Sequence, residues 1–537
     1  MDDDASRVQG AGVAAGAWAP LRLPAYRAFW LAFTSAYIGL WMQNVGAGWL
    51  MTTLTRSPLL IASVQFATSM PAFLLSLPAG FLADQNDRKK ILMIAFGWSL
   101  GVDVLLSLLT GTGHIEAWSL LLCTVMLGAG TAVGSPAVQS VVADIVPRRQ
   151  LSQAVILGGA AYNIARSVGP ALAGLIVVWQ GPFAVFAVCS LCFSAMLFAS
   201  GRLQLPPRTN GGLPPERLLS GMHAGLRYAW HEPAVFAVIV RTVLFGLCGA
   251  AVWALLPVMA QRMPGHGASS YGALVACLGI GALIAAFGAE RLRARFGYDL
   301  LSFAAALLFA LVTAIVAWPA IGALIYPAMV LGGLGWTYTL NTIFASLQSV
   351  LPNWVRARGI ALYSLLMQGA MAIGSLVWGA IAEGIGVSWS LLVAGVAVAL
   401  GAVYGRLRYP LQLGHDAHVT MVESWIPTAN FGALEPDAGP IAVEIEYRID
   451  PARRAEFVAA GVAVGRVRKR DGARFWRLYR DLEQPGCYRE RFIVDSWGEY
   501  LRSRSRGTMV DSQAEEWFRS FHVGPAVPTV RHSIAER

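Results

Sequence analysis

Between Tyr26 and Gly405 the chain is written largely in apolar letters, broken by short charged or turn-forming segments. The apolar runs fall near residues 26–53, 57–82, 91–112, 116–143, 152–179, 182–202, 233–260, 270–289, 299–318, 321–348, 358–383 and 387–405. Crossing a bilayer takes roughly 20 apolar residues. In hydrocarbon every backbone N–H and C=O must be paired within its own segment, so such runs predict helices, here twelve. The longest interruption, Gln204 to Glu232, contains ERLLSGMHAGLRYAW from Glu216 to Trp230. Its amphipathic pattern predicts a helix lying along the membrane surface.

Beyond Leu411 the periodicity changes. Ala442–Ile449, Arg474–Leu482, Tyr488–Val494 and Thr529–Ile534 alternate as strands do. Pro451–Arg470 and Ser496–Phe521 carry helical patterns, the first with proline in its first turn. The order β-α-β-β-α-β predicts a ferredoxin-like α+β domain. The expected fold class is thus an all-α membrane protein of twelve transmembrane helices in two six-helix halves, plus this small cytoplasmic domain. The expected boundaries are 1–25 for an N-terminal cytoplasmic segment, 26–202 and 233–408 for the halves, and 203–232 for the central loop. A linker over 409–440 and the soluble domain over 441–537 follow.

The two halves read as a repeat. At an offset of 205, Gly128 pairs with Gly333, Gly130 with Gly335, Pro147 with Pro352, Gly169 with Gly374 and Gly174 with Gly379. Duplicated bundles with a site between the halves are a common build of secondary transporters.

Charge sharpens this division. Residues 411–537 hold 18 basic and 18 acidic side chains, whereas the rest of the chain holds 23 basic and 13 acidic, so the net charge of +10 lies in the apolar part. Alternate loops carry it. One set contains 14 basic residues, among them Arg88, Lys89, Lys90, Arg148, Arg149 and Arg356, and the other only Arg56 and Arg262. The positive-inside rule places the first set, and both termini, in the cytoplasm. The basic excess is thereby explained by topology, which argues against a nucleic-acid partner. Five of six cysteines lie inside apolar runs, and Cys189-Ser-Leu-Cys192 lacks a second ligand pair, so neither a disulfide framework nor a zinc site is expected. The Ala/Gly-rich start, Met1 to Pro20, lacks the pattern of a cleavable signal peptide.

Between the second and third runs stands GFLADQNDRKK, Gly80 to Lys90. It resembles the motif GxLADRxGRK of the major facilitator superfamily, with Gly80, Leu82, Ala83, Asp84, Arg88 and Lys89 matching and Gln85 and Asp87 departing. The resemblance implies a cytoplasmic gate of Asp84, Arg88 and Asp144, with Gly80 ending the helix; loop charges serving orientation alone are the plainer alternative. Within the fifth run, Asn163-Ile-Ala-Arg166-Ser-Val-Gly169-Pro170-Ala-Leu-Ala-Gly174 resembles the antiporter motif gxxxGPxxGG, which implies export and a helix shaped by Gly169 and Pro170.

Arg166 is a charge deep in an apolar run, which costs at least about 2.5 kcal/mol and marks a functional or paired group. Facing a cavity it suits an anionic or oxygen-rich ligand; otherwise it joins an internal ion pair. With Asn163, Asn44, Asn341 and Gln368 it makes up the expected substrate path. Trp41, Trp49 and Trp336 are candidate stacking walls. Arg241 poses the same question as Arg166, and Asp103, the one acid well inside a run, is the formal proton carrier in a helix the resemblance makes peripheral. GWSLG from Gly97 spells GxSxG, but a nucleophile elbow needs a strand-to-helix turn. No nucleotide-binding GxxxxGK[ST] is present.

In the tail, Arg468–Ala473, Trp476, Asp481, Glu490 and Asp495–Arg502 complete a resemblance, over nearly the whole chain, to the transmembrane secretion effectors, the branch that includes the enterobactin exporter. The tail alone resembles antibiotic-biosynthesis monooxygenases, which use no metal or flavin. Trp476, Trp497, Tyr500 and His522 suit such chemistry, and aromatic core packing explains them equally. The resemblance implies a multi-pass transporter of the bacterial inner membrane rather than an enzyme. It would export a siderophore or drug-like molecule against protons, surrounded by lipid, without a cofactor or metal and with a tail able to dimerise. An exporter fused to a cargo-modifying domain, and a membrane scaffold recruiting a partner, are the alternatives.

Overall fold

The computed structural model of the protein describes residues 18–204, 218–263, 267–318, 322, 324–411, 425–426, 434–435, 437–504, 506–524 and 527–535. They fall into two units, the first comprising residues up to 213, 241–342 and 364–404, the second 214–240, 343–363 and 405–537.

The first unit is built from long helices: α1 Pro24–Leu54, α2 Pro58–Gln85, α3 Arg88–Gly111, α4 Ala117–Ile145, α5 Leu151–Gln180 and α6 Pro182–Arg202. After α7 Leu218–His231 come α8 Pro233–Arg262, α9 Ala268–Val316, α10 Ile325–Val350, α11 Asn353–Ile385 and α12 Val387–Arg408. Among the described residues, nine of these are long and apolar enough to cross a membrane. Their outer faces expose Ile94, Trp118, Leu191 and Phe287, which water would not tolerate in such number. α9, at 49 residues, is two helical segments meeting at Gly297, whose φ of 72° only glycine adopts without strain. The start signals are local. Pro24 and Pro182 sit in first turns, Glu116 and Ser119 form a capping box, and the Asp87 carboxylate accepts from the Lys89 N–H. The departure at position 87 of the loop motif is therefore an N-cap.

Helices in this unit approach through glycine. A Cβ on Gly128 would meet α2 at Thr68 and Pro71, and one on Gly333 would meet α9 at Leu278. Gly130 lies against Ala95 and Ser99 of α3, Gly335 against Ala305 and Phe309 of α9. Gly169 lies against Ile38 and Trp41 of α1, Gly374 against Leu247 and Ala250 of α8. Gly174 meets α9 at Ala268 and Gly272, and Gly379 meets α2 at Leu59 and Ala62.

The second unit holds a four-stranded antiparallel sheet in the order β2-β3-β1-β4, with β1 Ile441–Arg448, β2 Ala473–Arg480, β3 Cys487–Val494 and β4 Thr529–Ile534. Alternation along β1 buries Ile441, Val443, Ile445 and Tyr447. Helix α13, Arg454–Asp471, packs on β2. The stretch 496–521, expected as one helix, is two: α14 Trp497–Arg504 and α15 Met509–Ser520. Thr508 and Asp511 form a capping box that starts α15 afresh, which ends the earlier run. Phe457 and Phe518 stack at 4.6 Å in the core. Helix α7 packs on α13 through residues such as Tyr228, while Leu226 and Trp230 stay exposed.

Candidate functional site

A cavity of about 360 Å³ lies within the first unit. Its walls come from α1, α2, α4, α5, α8, α9, α10 and α11. The floor of chemistry is aromatic. Trp41 stands 5.9 Å from Trp253, Trp253 stands 5.6 Å from Trp336, and Tyr162 packs edge-on to Trp41 at 6.0 Å. Arg166 projects from α5 among them, its guanidinium carbon 5.8 Å from the Trp41 ring centre and 5.4 Å from that of Trp253. Such cation–π geometry partly replaces lost hydration.

Arg166 is 7% exposed. Its Nε and Nη2 have no hydrogen-bond acceptor among the described residues, and the same holds for Nε1 of Trp41 and of Trp253. The neutral amides around them are engaged. Asn44 donates to the Leu40 carbonyl at 2.9 Å and accepts from Thr68 Oγ1, and Gln65 donates to Ser69 Oγ at 3.0 Å. No Asp, Glu, Lys or His stands among the described lining residues.

Local backbone explains how Arg166 is held. Pro170 has no N–H to give to the Arg166 carbonyl four residues earlier. α5 nevertheless runs unbroken from Leu151 to Gln180. Gly279 of α9 fits against that same carbonyl, where a Cβ would come within 2.7 Å of it. Gly272 does the same at the Pro170 carbonyl, at 2.6 Å.

Of the expected substrate path, Arg166, Asn44 and Gln368 line the cavity together. Asn163 is not among the described lining residues and donates to the Gly159 carbonyl at 3.0 Å; Asn341 is exposed and also lies outside that lining. Trp41 and Trp336 line it and Trp49 does not. Tyr162, Trp253, Thr68 and Tyr271 line it without having been singled out from sequence. Trp253 carried a usable signal: a tryptophan midway along an apolar run, away from the interface where this residue usually sits.

Arg88 and Asp144 form an ion pair between the start of α3 and the end of α4, and Lys89 Nζ donates to the Leu203 carbonyl at 2.8 Å. Gly80 and Asp84 fall in α2, outside the residues whose side chains are described. Arg241 pairs with Asp299. Asp103 is wholly buried in α3, its oxygens without a hydrogen-bond partner among the described residues, and it is not among the described lining residues of the cavity. A contact not anticipated from sequence joins α11 to α2. Glu383 accepts from Ser57 Oγ at 2.7 Å and from the Leu59 N–H at 3.3 Å.

In the second unit Glu490, fully buried, accepts from Trp476 Nε1, the Tyr447 hydroxyl and Arg468. Arg468 also reaches Glu515 at 2.7 Å. Tyr500 shares a 2.7 Å hydrogen bond with His532, and His522 Nδ1 accepts from the Arg448 N–H. Arg470 binds Asp471, Asp511 and, on the segment leading into α8, Glu232. Burial pushes the Asp511 carboxyl up, but the Arg470 charge and the Thr508 hydrogen bonds hold it below the usual carboxylate range. At Asp471 burial wins and its carboxyl lies above that range. Glu499 is held low by Arg506 and Arg227 against its own burial. Among the described residues no cluster of His, Cys, Asp or Glu could hold a metal.

Known proteins resemble this chain in part of their sequence and in fold. The chain is 30% identical to the staphyloferrin A transporter of Staphylococcus aureus over 163 residues, 30% of this chain and 41% of that one. It is 28% identical to the multidrug efflux pump Tap of Mycobacterium tuberculosis over 31% of this chain and 42% of that one. Macrolide efflux protein A of Streptococcus pyogenes matches at 22% over 39% and 52%. The chain thus spans about half the length, or less, of these curated relatives. Among solved structures, a bacterial homolog to the human lysosomal transporter Spinster, inward-facing and unoccupied, superposes with TM-score 0.56 at 15% identity, covering 72% of this chain and 97% of that one. The nucleoside transporter NupG gives 0.57 at 12% identity, covering 71% and 98%. At these identities the likeness is one of fold. The family described as transmembrane secretion effector matches residues 15–537, and the chain, a multi-pass membrane protein of the major facilitator fold, belongs to it.

Proposed function

We propose that this protein exports a small organic molecule by alternating access, with the cavity as its cargo site. The observation that carries the reading is that cavity: about 360 Å³ of aromatic-walled space, with Arg166, Asn44 and Gln368 converging on it from α5, α1 and α11. Ligand sites of transporters form in this way between helices contributed by two repeats.

The reading takes α9 as two spans divided at Gly297 and adds α1 and α10, which brings the nine apolar helices to twelve. α1 and α10, at 31 and 26 residues, are long enough to cross a bilayer. Two six-helix halves, 26–202 and 233–408, are supported by the glycine pairs. Gly169 and Gly374 each meet the first helix of a half, Gly128 and Gly333 each meet the second, and Gly130 and Gly335 each meet the third. Gly174 and Gly379 each cross to the second helix of the other half.

On this topology Arg88, Asp144 and Asp84 form the cytoplasmic gate, and Gly169 and Pro170 shape α5; Gly80, expected to end its helix, lies inside α2, which runs on to Gln85. Glu383 with Ser57 and Leu59 forms an outer latch. Asn163 and Asn341 border the path and are reached when the halves rock. The basic loops place residues 1–25, 203–232 and both termini in the cytoplasm of a bacterium with the chain in its inner membrane. A proton gradient drives the cycle. After the linker 409–440, residues 441–537 form a ferredoxin-like domain, which the strand order β2-β3-β1-β4 supports. Its likeness to the monooxygenase dimers makes self-association through the sheet its expected assembly, within an enterobactin-exporter-like branch.

The names of the relatives suggest the first cargoes to try, staphyloferrin A and a macrolide. Reconstituted protein should accumulate one of them against its gradient when a pH gradient is imposed, and Asp144→Asn should slow this at least tenfold. Failure of every cargo to move, or equal movement by the variant, would sink the exporter and the gate respectively.

A further inference from the structure

Resting on that reading of the cavity as cargo site, we propose that the cargo is an organic carboxylate, seated by its head group on Arg166 and by a flat apolar body on the tryptophan walls. Four buried polar atoms of the lining residues lack a protein partner among the described residues: Nε and Nη2 of Arg166 and Nε1 of Trp41 and of Trp253. All four are donors. Buried polar groups are ordinarily satisfied, so this set asks for a ligand that only accepts. On the guanidinium the free pair is Nε and Nη2, the edge whose two N–H bonds run parallel and match the two oxygens of a carboxylate.

Charge points the same way. Arg166 is 7% exposed, and the described cavity lining offers no carboxylate to neutralise it. An uncompensated buried cation is costly. The two indole faces at 5.8 and 5.4 Å relieve part of that cost but accept no hydrogen bond in the plane of the guanidinium. Among the described residues of this unit, the other buried arginine, Arg241, has a carboxylate held for it, that of Asp299. At Arg166 the counter-charge is left to the cargo. Asn44 and Gln65, already hydrogen-bonded, do not compete for the head group. A cavity of about 360 Å³ suits a compact body of one or two rings.

The test uses full-length protein in zwitterionic lipid nanodiscs, titrated calorimetrically with 2-naphthoate and its neutral isostere 2-naphthamide. Wild type should bind the carboxylate at least tenfold more tightly. Arg166→Gln should bring the ratio close to one by weakening naphthoate alone, and its unchanged affinity for naphthamide reports an intact cavity. Arg166→Lys, which keeps the charge but loses the fork, should retain an intermediate ratio. Equal binding of the two ligands by wild type, absence of saturable naphthoate binding, or a ratio that survives Arg166→Gln would each overturn the inference. The exporter reading fails separately. Proton-driven movement of a neutral macrolide together with no carboxylate preference sinks the carboxylate cargo and leaves the exporter standing. A carboxylate preference lost in Arg166→Gln, with no cargo moved in vesicles, does the reverse.

Discussion

Adding one methyl group at Gly279 should loosen the helix contact that seats Arg166. In Gly279→Ala the new Cβ would stand 2.7 Å from the Arg166 carbonyl oxygen, 2.7 Å from Ser167 Cα and 2.8 Å from Ser167 Oγ. Ordinary contact begins near 3.4 Å, so α5 and α9 must part by about 0.7 Å. Two of the three obstacles are backbone atoms, and no rotamer change removes them. Overpacking of this kind costs about 1–3 kcal/mol. The control is Gly158→Ala on α5, where a Cβ meets nothing within 4 Å. There alanine's lower backbone entropy should stabilise by about 0.5–1 kcal/mol. The two variants differ from wild type by the same single methyl but should move the thermal midpoint of the purified protein in opposite directions. Gly279→Ala should also weaken naphthoate, because the guanidinium moves with its helix. Equal midpoints for the two variants would refute the reasoning, since the space around the glycine would then not matter.

Four further outcomes follow from the geometry. Exchanging the gate charges as Arg88→Asp with Asp144→Arg should restore part of the transport that either single change removes, measured as initial rates in vesicles; no recovery would mean the two residues do not act as a pair. Glu383→Ala removes the acceptor for Ser57 and Leu59 and should raise maleimide labelling of a cysteine placed at Thr68 from the outer side; unchanged labelling would count against the outer latch. In the tail, Glu490→Leu leaves the Trp476 N–H and the Tyr447 hydroxyl without their acceptor and Arg468 with Glu515 alone, and each buried polar group left unsatisfied costs about 1–3 kcal/mol. Hydrogen exchange of the 441–449 peptides in the full chain should accelerate by orders of magnitude. Because Asp511 and Glu499 are held below the usual carboxylate range, the stability they contribute is complete above that range and is lost as pH falls through their depressed values. Exchange protection of α15 should therefore fall on acidification below about pH 4, and Asp511→Asn should abolish that part of the dependence.

Much of the tail's order could be read directly because strand and helix periods differ in adjacent residues. β4 was expected over Thr529–Ile534 and stands there, and β1 begins one residue before its expected start. The division between α14 and α15 was hidden, since Thr508 and Asp511 cap through side-chain hydrogen bonds that a helical pattern does not register. The same holds for Asp87, which departs from the loop motif yet performs a local task as N-cap. Asn163 and Arg166 lie three residues apart on one helix and both looked suited to a cavity. Only Arg166 is among the residues described as lining it. Asn341 differs in the same way from Gln368.

Sequence alone determines that most of this chain lies in a membrane, that a tail far richer in charge follows, and that Arg166 is an expensive charge. These are properties of composition and period, which survive whatever the helices do to one another. Which face of each helix meets the cavity is set by rotation and close approach, decided where Gly169, Gly272 and Gly279 let backbones touch. That packing placed two tryptophans around Arg166 and kept every described carboxylate out of the cavity. Tertiary structure alone turned a costly buried charge into a free donor edge, because satisfaction of a polar atom depends on neighbours that are remote in the chain.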